Sequence, residues 1–329
     1  MSKNLIERSN NYILDRKIFT FDSDDRDKER WPNPAEFEIS CPQNYTNIES
    51  IRILNINMPN YLYNICEHLQ NNKLYISLDK INIYTITLED GVYNPTNLAT
   101  SIENFINNNT NLSNFSIIYN EVTNKIHFGN SINKFYLHFD HYDYTNCEYN
   151  CFDQHSKWGL GYLLGFDKKI YESQSIANGD KIFYKSSSSN TWITSSDYII
   201  VSPKNVDLEY NQNIYFEIDK LNQSDEIKPF LNNKLTNSNN GRINSYFAKV
   251  PLIKSSSNQI LVSKDFFLES VSYFQPLLEK LSKIKIKLRY HNGLMLDLKN
   301  YNINFSITLE INQIMNGLKN YDVRTPFNL

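Results

Sequence analysis

The chain has 329 residues and a formal net charge of −3, which excludes a nucleic-acid binder of the strongly basic type and leaves room for one large or two medium domains. Aromatic residues make up 14%, with 23 Tyr and 19 Phe against only 9 Gly and 10 Pro, a composition that suits pleated, half-buried surfaces and so β structure. Met1 to Thr20 carries no charged-then-apolar leader, and no apolar run reaches the roughly 20 residues that span a bilayer. The sequence therefore predicts a soluble protein made in the cytosol, with its four Cys reduced.

Residues 1–35 lack a core-like pattern and read as an extended N-terminal arm. The arm holds a run of mixed charge, Asp22, Asp24, Asp25, Arg26, Asp27, Lys28 and Glu29. That run has neither the central Gly nor the spacing of a calcium loop, and its bases can neutralise its acids. The arm ends at Trp31-Pro32-Asn33-Pro34, where each Pro pushes its predecessor out of helix. Phe37 and Ile39 then alternate with Glu36 and Glu38, as in a half-buried strand. Ile48 to Met58 continues in the same way until Pro59. Lys73 to Asp79 and Asn82 to Leu88 are further strands.

The clearest helix follows. Asn94-Pro95 supplies an N-cap and a Pro in the first turn, and Leu98, Ile102, Phe105 and Ile106 share one face over 95–107. Phe115 to Tyr119 and Lys125 to Phe128 read as a hairpin, and Phe135 to Phe139 as a short strand. These elements make 36–140 a β-rich domain with an inserted helix.

The segment 141–196 is irregular and loop-rich, with Trp158-Gly159-Leu160-Gly161, Leu164-Gly165-Phe166 and a Ser run at 186–189. Its start overlaps a cluster of zinc-ligand types: His138, His141, Cys147, Cys151 and His155. Zinc takes four such ligands in a tetrahedron, usually as close pairs, so this is a candidate structural zinc site. Against it, a strand through Phe139 would set His138 and His141 on opposite faces. No other cofactor is implied. Gly-Leu-Gly at 159–161 lacks the third Gly of a dinucleotide fingerprint, and neither a nucleophile elbow nor a Walker A run occurs. The sequence thus carries no catalytic residue that can be named.

Residues 197–329 read as a β-sandwich domain. Tyr198 to Val201 and Ile214 to Ile218 are strands, and Asn232 to Gly241 is a polar loop. Lys283, Lys285, Lys287 and Arg289 alternate with Ile284, Ile286, Leu288 and Tyr290, giving a strand with one wet basic face and one buried face. Asn292-Gly293 is a strong hairpin signal. Leu294, Leu296 and Leu298 then form a return strand, and Ile303 to Ile311 a third. The basic face is of a kind that can track phosphates, but more often such a face is solvated or meets an acidic partner. The predicted fold class is all-β with one or two short helices, an antiparallel β-sandwich in two packed halves.

Several stretches, in this order, carry a resemblance: "NNYILDRKIFTFDSDDRDKERWPNPAEFEI", "NIESIRILNINMPNYLYNI", "LEDGVYNPTNLATSIENFIN", "YNEVTNKIHFGN", "KWGLGYLLGF", "YFAKVPL" and "KIKIKLRYHNGLMLDLKNYNINFSITLEI". The series is similar to minor capsid or virion-associated proteins of giant nucleocytoplasmic large DNA viruses, in mimivirus-like and algal-virus members. The Asn, Ile, Lys and Tyr bias agrees with AT-rich genomes. The resemblance implies jelly-roll-like domains and a non-enzymatic virion structural protein, made in the host cytoplasm. Its partners would be the major capsid protein and other capsid subunits, without a membrane span, nucleic acid or small-molecule substrate. On that reading Trp31, Arg26, Asp25 and Phe37 are candidates for the subunit interface. The alternative is a surface module that binds a receptor or glycan through the loops at 140–196.

Overall fold

The computed structural model describes residues 13–59, 62–109, 111–144, 150–155, 157–177, 184–185, 192–194, 197–209, 213–227, 243–252, 259–262 and 271–315. Cys147, the Ser run at 186–189 and the polar loop at 232–241 lie outside them. The chain divides into two compact units, one made of Met1–Asn60, Asn213–Lys228 and Ile243–Leu329, the other of Tyr61–Gln212 and Pro229–Arg242. This differs from expected boundaries at 35, 140 and 196. The second unit is inserted into the first, because strands far apart in sequence complete the first unit's sheet.

In chain order the first unit begins with β1 (Ile13–Asp22) and β2 (Glu36–Pro59). The second unit supplies β3 (Lys73–Ser77), β4 (Tyr84–Thr87), helix α1 (Pro95–Asn107), β5 (Phe115–Asn120), β6 (Lys125–Asn130) and β7 (Tyr136–His138). It continues through helices α2 (Cys151–Gln154) and α3 (Leu160–Leu163) to β8 (Ile170–Glu172), β9 (Gln174–Ser175), β10 (Tyr184–Lys185), β11 (Trp192–Ile193) and β12 (Tyr198–Val201). The first unit resumes with β13 (Asn213–Ile218), β14 (Ser224–Ile227), β15 (Ile243–Tyr246), β16 (Ala248–Pro251) and β17 (Gln259–Val262). It closes with β18 (Ser272–Arg289) and β19 (Ser306–Met315). Every pairing among these strands is antiparallel, so the chain is a mostly β protein with three short helices among the described residues.

The first unit is built on one sheet in the order β1-β19-β2-β18-β13-β16, with β17 on β2 and a separate β14-β15 hairpin. The N-terminal half of β2 pairs with β18, from Glu36 opposite Lys287 to Ile48 opposite Leu278. Its C-terminal half pairs with β19, with Ile51 opposite Ile311 and Ile56 opposite Ile307. Rings from the start of β2, from β1 and from the lead into β19 meet: Phe37 lies 6.0 Å from Phe305 and 6.3 Å from Phe21, centroid to centroid. These rings form one aromatic core, which also holds Phe216. Residues 13–22, expected in an arm, are a strand of this sheet, with Phe19 and Phe21 buried. The predicted hairpin at Asn292-Gly293 forms as a turn with Gly293 at φ 90°, and its return pairs with β18 through a single Met295–Arg289 bridge in place of a full strand over Leu294 to Leu298. That stretch is also tied by Asn33, whose amide donates to the Leu296 carbonyl at 2.8 Å and accepts from the Leu298 amide at 3.2 Å.

The second unit packs α1 beside β5 and has two four-stranded sheets, β5-β6-β12-β9 and β4-β3-β7-β8. The predicted cap is real: the Asn94 side chain accepts from the Asn97 amide at 2.7 Å. Leu98, Ile102 and Ile106 are buried, and so is Glu103, whose carboxylate takes the Ile117 amide at 2.7 Å. At the end of α3, Gly165 sits at φ 82°, and a Cβ there would lie 2.3 Å from the Lys204 carbonyl oxygen. Only Gly fits that turn.

Candidate assembly surface

The charged run at residues 22–29 is a stapled corner. Asp22 and Asp25 cap a single 3-10 turn reciprocally, Asp22 taking the Asp24 amide at 2.8 Å and Asp25 the Asp22 amide at 3.1 Å. Ser23 is fully buried and joins the start of β19 through hydrogen bonds with Phe305 and Asn304. The Arg26 guanidinium donates to the carbonyls of Ser23 (2.7 Å), Trp31 (2.8 Å) and Pro32 (3.2 Å) and to the Asn304 amide oxygen (3.2 Å). Arg26 and Asp25 are thus committed to their own corner. Phe37, expected at an interface, is 0% exposed and belongs to the core, because β2 turns that face inward. Trp31 is half-buried, with the Lys285 ammonium 5.0 Å and the Arg30 guanidinium 5.3 Å from its ring.

The basic face on β18 divides in two. Lys283 reaches Glu38 at 2.9 Å and Lys285 reaches Glu36 at 3.0 Å, diagonal pairs across β2 with exposed lysines. Arg289 departs from the expected wet face: its side chain is 2% exposed and ion-pairs with both Glu217 and Glu226. Glu226 also meets His291 at 2.9 Å, and Tyr215 stacks beneath His291 with ring centroids 5.6 Å apart. Burial, and then the nearby Glu226, push the Tyr215 hydroxyl up to about 12. Alternation reveals which side of a strand a residue faces, but not how deep that side is buried.

The outward face of β1, β19 and β2 carries a groove of about 270 Å³. Its ionic centre is Glu310, which is 5% exposed and binds Arg16 at 2.6 Å and Arg52 at 2.9 Å. Burial pushes the Glu310 carboxyl up, but hydrogen bonds from Arg52 and Asn312 and the charges of Arg52 and Arg16 outweigh it and hold it below its ordinary value. Leu14 and Tyr273 line the groove at 41% and 42% exposed, and Ile18 shares the β1 face with Leu14 at 58% exposed. Sequence reading missed Glu217, Glu226 and Glu310. The available signal was an acid inside an apolar strand: Glu217 between Phe216 and Ile218, Glu310 between Leu309 and Ile311.

In the second unit the His/Cys set is dispersed over different partners. His138 is buried, with its Nε2 at 2.7 Å from the Ser77 hydroxyl. The His141 ring packs edge-on against Tyr75 at 4.7 Å. Cys151 is buried and its backbone amide donates to Gln70 at 2.9 Å. His155 closes α2, its amide donating to the Cys151 carbonyl at 3.0 Å. No group of three metal-ligating side chains is assembled among the described residues, and Cys147 is outside them. Burial pushes the Cys41 thiol up to about 11. Tyr142, Tyr144, Phe152 and Trp158 surround a cavity of only about 20 Å³, and the Tyr142 and Tyr144 hydroxyls bond Gln70 and Asn72. No helix among the described residues is long and apolar enough to cross a membrane.

Residues 9–140, less than half of the chain, match a family described as a family of unknown function, DUF5901. No curated protein matches. Among solved structures, the chain is similar to the mavirus penton protein, at 10% identity and a TM-score of 0.40 over 92% of this chain and 99% of that one. It is also similar to a chain of the Sputnik virophage structure, at 14% identity and a TM-score of 0.41 over 95% of this chain and 100% of that one. At such identities and scores neither likeness argues for a function.

Proposed function

We propose that the chain is a non-enzymatic structural subunit of a virus particle, a minor capsid protein that assembles with the major capsid protein and other subunits of a large icosahedral DNA virus. The ordered series of sequence stretches points to virions. The observation that carries the assembly role is the outward face of the first unit, where Leu14 and Ile18 on β1 and Tyr273 on β18 stand exposed around the Arg16–Glu310–Arg52 network. Exposed apolar side chains around a fixed ionic centre fit a protein contact, in which the apolar groups supply affinity and the charges set register. Trp31 would add an aromatic contact at the neighbouring corner.

Receptor or glycan recognition through the loops at 140–196 is the weaker reading. The aromatic cavity there has room for about one water, and its hydroxyls are already engaged. Quantitative mass spectrometry of purified particles tests the proposal. It predicts the chain at a fixed ratio to the major capsid protein through successive purification steps. A ratio that falls to nothing on purification would remove it.

A further inference from the structure

β1 is the outermost strand on its side of the first unit's sheet, so among the described strands none pairs with its far edge. An open edge of ten residues is a template for another strand unless something guards it. The side chains of β1 alternate. Leu14, Arg16 and Ile18 face outward, while Asp15 and Lys17 share the opposite side with the buried Phe19 and Phe21. Asp15 and Lys17 form an ion pair at 2.9 Å and remain 29% and 40% exposed. Charges on the core side are a guard: an ordinary half-apolar strand added here would set apolar groups against them.

One partner satisfies the guard. We propose that the free edge of β1 pairs with the same edge of a second copy of this chain, antiparallel about a two-fold axis at Arg16. In that register Asp15 of each copy lies opposite Lys17 of the other, and Leu14 opposite Ile18, so the symmetry supplies every pair twice. The two Arg16 side chains meet on the axis, where each is held in an ion pair with its own Glu310 at 2.6 Å. Centring on Lys17 instead would oppose Lys17 to Lys17 and Asp15 to Phe19. Centring on Asp15 would oppose Asp15 to Asp15 and Leu14 to Arg16. The charge pattern therefore selects one register as well as one partner. This contact rests on the assembly reading for its purpose and on the β1 edge for its geometry.

The test uses the purified full-length chain and charge-reversed variants in sedimentation velocity, with circular dichroism to confirm folding. The native chain is expected to dimerise. D15K and K17D each create two like-charge pairs and should raise the dimer dissociation constant about tenfold or more. When the two variants are mixed, both facing pairs again join a lysine of one chain to an aspartate of the other. A heterodimer should therefore form where neither variant dimerises alone. Because neither variant keeps the ion pair within its own strand, such rescue reports a contact between copies. If the charge variants misfold, oxidation of mixed L14C and I18C chains, both changed at exposed positions, should give a covalent heterodimer. L14C alone should not cross-link. A native chain that stays monomeric overturns the inference, as does a dimer indifferent to these changes. The particle reading fails separately, by absence of the chain from virions.

Discussion

The C-terminal part of β18 carries basic side chains to opposite ends of the energetic scale. Lys283 and Lys285 hold Glu38 and Glu36 in pairs that water reaches, and such pairs contribute little. A few residues on, Arg289 is shut away at 2% exposed and binds Glu217 and the nearly buried Glu226, where losing a partner costs far more. The strand thus uses its deep charge to hold the β14-β15 hairpin and the sheet together. Its shallow charges remain available to the surroundings.

The sharpest way to break the contrast is at Arg289. Arg289→Leu should cost about 3 kcal/mol in unfolding free energy, because Glu217 loses its ion pair and the nearly buried Glu226 keeps only His291. Adding Glu217→Leu and Glu226→Leu should recover most of it in denaturant titrations. If the single change costs nothing, the cluster is not buried in solution. Arg26→Ala should be next, at about 2–3 kcal/mol, because it frees three carbonyls and the Asn304 amide oxygen at the corner.

A buried base in the second unit extends the contrast to pH. Burial, and then the charge of Lys125, lower the His127 imidazole from 6.5 to about 4. Its folded value lies below its unfolded one, so the stability it contributes is complete above pH 6.5 and is lost as pH falls through about 4. His127→Phe should flatten the melting temperature across that window. An unchanged slope would contradict the burial of the neutral ring. The smallest effect is expected at Lys283→Ala and Lys285→Ala, which should leave the melting temperature unchanged within error.

The sequence made the regular elements legible wherever one face is uniformly apolar. Ile303, Phe305, Ile307, Leu309 and Ile311 are all buried, as their alternation predicts. Asn94-Pro95 located the start of α1 because capping is a local property. Strand β1 escaped notice because Asp15 and Lys17 interrupt its inner face, leaving Phe19 and Phe21 too few to show a period. The position of β2 between β18 and β19 joins residues more than 200 apart in sequence, and no local pattern records such pairing. Arg289 was misplaced because period two is blind to a hairpin folding over the strand. The corner at 22–31 read as part of an extended arm because its partners, Asn304 and Phe305, come from the far end of the chain.

Crosslinking mass spectrometry on purified particles, with a lysine- and acid-reactive reagent, tests the central claim most directly. If the first unit is an assembly surface, crosslinks from Lys17 and its neighbours on β1 will join this chain to other capsid subunits or to its own copies. Crosslinks confined to the chain itself, in particles that contain it, would contradict that claim.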